Sequence, residues 1–183
     1  MRNRFLAVLF MGLAVFLVIF IFNFNRSHNT SKAPSLSGSL VAQELESFSI
    51  LDTKGTSHTL FKDDSLTFVV FWATWCSPCM AELPHFISLY NQYHKEGLNI
   101  VGFSLDDTQE DLEEILEDYN VPFPNTMMSG DVSRRFGGVY SIPFTVIVKG
   151  NKILDTKLGY GKKSYFESFL TKENLTTSSV SNP

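Results

Sequence analysis

Cysteine is scarce in this chain: Cys76 and Cys79 are the only two among 183 residues. Two thiols cannot staple a small core-poor fold, and they cannot close a four-cysteine zinc module. Acidic residues are missing from one end. Residues 1–35 carry Arg2, Arg4, Arg26 and Lys32 and no Asp or Glu, so the remainder holds 11 basic against 19 acidic side chains. A segment at −8 is poorly suited to hold a phosphate backbone, which excludes nucleic acid as a partner. The leader lacks a cysteine, which excludes bacterial-style lipidation at a cysteine there, and no internal repeat is evident. What the chain does have is apolar mass, 44% of its residues, enough for a core over most of its length.

That mass is uneven. Phe5–Phe22 is a run of 18 apolar residues without a charge. As a helix it would span about 27 Å, close to the roughly 30 Å of a bilayer core. Arg2 and Arg4 precede it and hold the N-terminus in the cytoplasm by the positive-inside rule. A cleaved secretory signal usually has a shorter apolar stretch ending near a small-x-small site. Here the nearest such triplet, Ser31-Lys32-Ala33, lies well past the run, so residues 1–24 read as an uncleaved signal anchor. Either reading exports the rest of the chain. Residues 25–43, rich in Ser, Asn and Thr, read as a flexible tether, and residues 173–183 as a fraying tail around a domain spanning 44–172.

Within that domain, a hairpin is expected over Ser47–Ile50 and Ser57–Phe61, turned at Asp52-Thr53-Lys54-Gly55. Leu66–Ala73 and Leu98–Leu105 are near-continuous apolar runs, as in strands covered on both faces. Between them Met80, Leu83, Ile87, Tyr90 and Tyr93 recur at helical spacing until Gly97. Asp106–Tyr119 predicts an acidic helix whose charged side faces water, with Asp106, Asp107 or Thr108 as its cap. Gly130–Phe136 predicts a short helix and Lys162–Leu170 a closing one. Phe144–Val148 and Lys152–Lys157 flank the two-residue turn Gly150-Asn151. The fold class is α/β, a mixed sheet with helices on both faces.

The chemistry concentrates at Cys76-Ser77-Pro78-Cys79, directly after a buried strand and at the opening of a helix. Thiols at i and i+3 on a first turn stand about 5–6 Å apart, within disulfide reach. The helix N-terminus lowers a thiol's pKa, and Pro78 occupies an early position where no N–H is required. Cys76 is therefore expected to be the exposed attacking thiolate and Cys79 the resolving thiol. Metal is disfavoured, since Glu82 and His85 are the sole nearby candidates and share one helix. Haem attachment needs a His where Met80 stands. A peroxidase would need Pro and Thr where Val69 and Ala73 stand. No cofactor is called for. The histidines carry little signal: His28 lies in the tether, His58 in the hairpin, and His85 and His94 on a helix face, each read as structural or solvated.

Phe71-Trp72-Ala73-Thr74-Trp75-Cys76-Ser77-Pro78-Cys79, with Met80-Ala81-Glu82-Leu83-Pro84 behind it, resembles the active-site signature of the thioredoxin superfamily. The trailing residues and the extra N-terminal hairpin resemble its membrane-anchored TlpA/ResA-like branch, over roughly Glu44–Leu170. The resemblance implies a thioredoxin-like domain acting in thiol–disulfide exchange, with Ile142-Pro143 as a cis-proline loop facing the dithiol. It implies that Glu82 replaces the buried acid thioredoxin has at the position of Val70, and that Pro84 kinks the helix. Trp75, Pro78, Ile142 and Pro143 would then receive the substrate, with Trp72 in the core. A disulfide-bearing exported protein and a membrane thiol electron donor are the implied partners, and the domain is expected to be a monomer outside the cytoplasm. Phe144-Thr145 and the tight Lys149-Gly150-Asn151-Lys152 turn depart from the branch pattern, which leaves substrate choice open.

Overall fold

The structure is a computed structural model that describes residues 40–175; the apolar run Phe5–Phe22 and residues 25–39 of the tether lie outside the described residues. Among the described residues no helix is long and apolar enough to cross a membrane. The chain enters with a hairpin, β1 (Phe48–Leu51) and β2 (Ser57–Leu60), paired antiparallel as a separate two-stranded sheet. A five-stranded sheet comes next, built from β3 (Leu66–Trp72), β4 (Leu98–Ser104), β5 (Asn125–Met127), β6 (Phe144–Lys149) and β7 (Lys152–Leu158) in the order β5-β4-β3-β6-β7. The β4 and β5 strands run parallel to β3, while β6 and β7 form an antiparallel pair on its other side. The helices are α1 (Ser77–Tyr93), α2 (Gln109–Asp118), α3 (Gly130–Arg135) and α4 (Lys163–Lys172).

The central strand divides the interior. Successive side chains of β3 point to opposite faces. Leu66, Phe68, Val70 and Trp72 join Cys76, Cys79, Leu83 and Phe86 of the α1 layer, together with Leu112 of α2 and Phe166 and Leu170 of α4. Val69 and Phe71 join Phe103, Phe144, Val146, Val132 and Phe136 on the other face, where the hairpin's Ile50 and Leu60 also pack. Helices therefore cover both faces, three on the dithiol side and α3 opposite. Every residue of β3 is buried, as its unbroken apolar sequence requires.

Differences from the sequence reading have local causes. The β5 strand, Asn125–Met127, has no counterpart among the expected elements: three residues are too short to display a period, and they pair with Gly102–Ser104 because β4 offers a free edge. The acidic helix starts at Gln109, capped by Thr108, whose Oγ1 accepts the Asp111 N–H at 3.2 Å. Asp106 is 7% exposed and serves the neighbouring loop instead. Residues 40–43 of the expected tether lie against β7, with Leu40 buried and Ala42 N–H donating to the Ile153 carbonyl at 2.9 Å. In the expected tail, Glu173 meets Lys149 at 3.6 Å and Leu175 packs on the α1-side core.

Gly102 is sterically required. Trp72 Nε1–H donates to Asn125 Oδ1 at 3.1 Å, and Asn125 Nδ2–H donates to the Phe123 carbonyl at 2.9 Å, a buried chain that ties β5 to the central strand. A Cβ on Gly102 would fall 1.7 Å from Asn125 Oδ1 and 2.9 Å from Trp72 Nε1. Gly102→Ala must therefore displace Asn125 and orphan the buried indole N–H. The expected loss is roughly 2–4 kcal/mol, read as a lowered urea midpoint with an unchanged slope. A midpoint equal to the parent's would show that the chain is dispensable.

Candidate active site

Pairing brings the functional segments to one end of the sheet. Phe103, Phe71, Phe144 and Leu158 form one row across β4, β3, β6 and β7. Just beyond that row lie Ala73–Cys76 after β3, Leu105-Asp106 after β4, Ile142-Pro143 before β6, and Gly159–Gly161 after β7. The Lys149–Lys152 turn lies at the opposite end, beside the start of β3 at Leu66. Its departure from the branch pattern is remote from the dithiol.

The loop into the dithiol is clamped by Asp106. Its Oδ1 accepts from Thr74 N–H at 2.9 Å and from Thr74 Oγ1–H at 2.8 Å, while Oδ2 accepts from Ser104 Oγ–H at 2.6 Å. Leu105 N–H adds a bond to the Trp72 carbonyl at 2.8 Å. In the sequence Asp106 reads only as a helix cap. Its position two residues past the end of a buried strand is the available signal for this role.

Cys76 is the N-cap of α1, with φ −89° and ψ 96°, and its Sγ accepts from the Cys79 N–H at 3.3 Å. Pro78 stands at the second helical position, where no intrahelical bond is lost. The two cysteines form a disulfide with S–S 2.03 Å and Cα–Cα 5.2 Å. The sulfur at the cap faces the free amides of a 17-residue helix, which favour negative charge there. One expectation is corrected: Cys76 is not open to solvent. It is 6% exposed against 3% for Cys79, because it packs with the α1-side core, while Trp75, Ser77 and Pro78 stand exposed around it.

Glu82 lies one turn beyond Cys79 on the same helix and is 1% exposed. Its Oε1 accepts the backbone N–H of Gly161, and its Oε2 is buried without a hydrogen-bond partner. Burial pushes its pKa up to about 7, against the pull of the Gly161 amide and of Lys157. The approach of Gly161 leaves little space, since a Cβ there would meet Phe166 at 2.7 Å and Glu82 Oε1 at 3.0 Å. Gly161 is a site residue that the sequence does not disclose; its spacing of 79 residues from Glu82 carries no local sign.

The Ile142–Pro143 peptide is cis, with Ile142 half-buried and Pro143 buried. The Pro143 carbonyl accepts the Gly159 N–H at 2.8 Å, whereas the backbone of Ile142 bonds to no other backbone group among the described residues. Trp72 is buried and Trp75 is 64% exposed. Pro84 sits inside α1 on its exposed side, where it removes one helical N–H. Phe144 is 1% exposed and stacks on Phe71 at 5.8 Å, so this departure from the branch pattern is taken up by the core and not by a surface groove. Thr145 is buried beside it with an unpartnered Oγ1. Two histidines fill structural roles, His58 meeting Asp52 at 2.8 Å and His94 meeting the Leu98 carbonyl at 3.2 Å, while His28 lies outside the described residues.

The sequence profile of the AhpC/TSA family matches residues 41–157. Among curated proteins, the thiol-disulfide oxidoreductase ResA of Bacillus thuringiensis subsp. konkukian is 28% identical over 135 residues, covering 72% of this chain and 78% of that protein. ResA of Halalkalibacterium halodurans is 25% identical over 175 residues, 93% of this chain and 92% of its own. Among solved structures, a thioredoxin-family thiol:disulfide interchange protein from Chlorobium tepidum TLS superposes with a TM-score of 0.67 at 21% identity, over 72% of this chain and 95% of that one. StoA from Bacillus subtilis gives 0.61 at 22% identity, over 68% and 96% respectively. These structures match the fold, the profile gives the family, and the named relatives together with the cysteine pair give the chemistry. The chain belongs to the AhpC/TSA family and is a thioredoxin-like thiol–disulfide oxidoreductase.

Proposed function

We propose that this protein reduces disulfides of exported proteins outside the cytoplasm, held to the membrane by Phe5–Phe22. The observation that carries the reductive direction is Glu82, a buried carboxyl one turn behind Cys79. Strong disulfide oxidants are those whose reduced form is stabilised as a thiolate. An ionised Glu82 behind Cys79 opposes a thiolate there, which weakens the oxidant and strengthens the reductant.

In the proposed cycle the Cys76 thiolate attacks a substrate disulfide and releases one substrate thiolate, forming a mixed disulfide. Cys79 gives its proton to the Glu82 carboxylate and its sulfur then attacks Cys76 Sγ. The Cys76–Cys79 bond forms, the mixed bond breaks, and the second substrate thiolate leaves with its electron pair. The unpaired backbone of Ile142, beside Pro143, is suited to bond an extended substrate segment, with Trp75 and Pro78 as exposed walls. A thiol pair of an apocytochrome c is the leading substrate, and a membrane thiol protein would restore the dithiol. The protein acts as a monomer without cofactor or metal.

The test is the potential of the Cys76–Cys79 couple, set by equilibration with glutathione, together with peptide-disulfide reduction by parent and Cys76→Ser proteins. The couple is expected nearer the roughly −270 mV of thioredoxin than the roughly −120 mV of a disulfide donor. A value at the donor end rejects the reductive direction. Equal reduction by Cys76→Ser rejects the whole scheme.

A further inference from the structure

We infer that His85 is the proton exit of Glu82, carrying the proton from the buried carboxyl behind the dithiol to solvent. The inference rests on the proposed role of Glu82 as proton acceptor for Cys79. That role leaves a problem of access: Glu82 is 1% exposed and Cys79 3%, so a proton delivered to the carboxyl is sealed from water. One carboxyl oxygen is committed to the Gly161 amide, and the other, Oε2, is buried and free.

His85 is the next residue on that helix face, three positions beyond Glu82, which places the two Cβ atoms about 5–6 Å apart. Its Nδ1 is likewise buried with no hydrogen-bond partner among the described residues, yet the residue as a whole is only half-buried. Both side chains are closed over by the same two-residue stretch. Gly161 donates to Glu82, and the Tyr160 ring lies 6.0 Å from the imidazole. Buried polar atoms are normally paired; Glu82 Oε2 and His85 Nδ1 make no direct bond, so two orphans on adjacent turns of one helix under one loop point to a bridging water between them. Imidazole accepts a proton at one nitrogen and releases one from the other, which suits a group that reaches from a buried face toward solvent.

The third orphan among the described residues, Thr145 Oγ1, lies in a buried strand and belongs to a hydroxyl that does not titrate in this range. The charged and titratable groups around the pair are few. Lys157 of β7 attracts the ionised Glu82, Tyr160 flanks His85, and Lys163 of α4 reaches Ser88 at 3.0 Å, three positions beyond His85 on α1. None of them offers the inward-facing unpaired nitrogen that His85 does.

Resolution of the mixed disulfide then runs as a balanced step. The Cys79 S–H proton passes to Glu82, from Glu82 to His85 Nδ1, and from His85 to water. The Cys79–Cys76 bond forms as the Cys76–substrate bond breaks, the protein thiols being oxidised and the substrate disulfide reduced. The departing substrate thiolate takes its proton from solvent.

The test monitors single-turnover resolution of a peptide mixed disulfide on the reduced full-length chain, from pH 6 to 8, with and without added imidazole. His85→Ala is expected to resolve at least about 10-fold more slowly than the parent and to recover with millimolar imidazole, to which the parent does not respond. His85→Gln, which fills the site but cannot relay, should be equally slow and show a flattened pH profile. A His85→Ala rate equal to the parent's, or a slow rate indifferent to imidazole, overturns the relay. Glu82→Gln separates the two ideas. If it is slow and unrescued while the His85 variants behave as the parent, only the relay fails. If it resolves at the parental rate, the Glu82 reading fails as well.

Discussion

Cys79→Ser should stop turnover and leave the protein covalently joined to its substrate through Cys76. Peptide-disulfide reduction should fall by at least about 1,000-fold, since exchange must pass through a mixed disulfide that only a second thiol can collapse. The geometry supports the proposed order of attack. Cys76 Sγ occupies the helix cap, where the Cys79 amide donates to it at 3.3 Å and the helix N-terminus stabilises its negative charge. Cys79 is one position short of the first full turn, 3% exposed, with the Glu82 carboxyl behind it. Cys76→Ser should be equally inactive but capture nothing, because its remaining thiol is the buried, unactivated one. Non-reducing electrophoresis of each variant after exposure to a disulfide peptide distinguishes them, and capture by Cys76→Ser in place of Cys79→Ser would invert the roles. A binding module that merely shared the fold would lose no biological function in the double Ser variant. Full complementation by that variant would therefore set the catalytic reading aside.

Distance along the sequence decides which features of the site are legible in it and which are hidden. The dithiol, its helix and Pro78 lie within a few residues, so spacing alone places two sulfurs at disulfide range, and the Cα separation is 5.2 Å. Glu82 is legible as a helical neighbour of Cys79 and the resemblance implies its burial, but what seals it in is not legible. That is Gly161, which closes over it from the far side of the domain. Asp106 reads as a cap for the same reason: its true partner Thr74 is 32 residues away, across a strand pairing that no local pattern discloses. The recession of Cys76 is hidden because a helix cap reads as an exposed position, whereas here the cap packs into the same core as Phe68 and Phe86. Elements with a clear period, such as β3 and α1, lie close to their expected limits, while three-residue β5 is lost between Pro124 and the next helix.

Glu82→Gln should make the oxidised protein's stability nearly independent of pH between 4 and 8.5, where the parent's declines. The sign comes from the direction of the shift. Burial raises the carboxyl from 4.5 to about 7, so between those values the folded protein holds a proton that the unfolded chain has released. Folding stability associated with the neutral carboxyl is therefore full below the unfolded pKa and is lost as pH rises through about 7. A shift of this size corresponds to roughly 3 kcal/mol, a large fraction of a typical domain's total. Gln retains an oxygen for the Gly161 amide, and its NH2 replaces the unpartnered Oε2, so any packing cost is the same at every pH. Urea titrations at pH 4, 5.5, 7 and 8.5 should show the difference between variant and parent moving by roughly 3 kcal/mol in the variant's favour. Parallel curves would mean that the carboxyl ionises without cost, through water or through Lys157, and that it is no proton store. In the reduced protein the same substitution should slow mixed-disulfide resolution by about 100-fold, because Cys79 loses its acceptor. The two measurements hang on one fact: a carboxyl stable when neutral is one that takes the Cys79 proton readily, and the stability it forfeits on ionising is the driving force for that transfer.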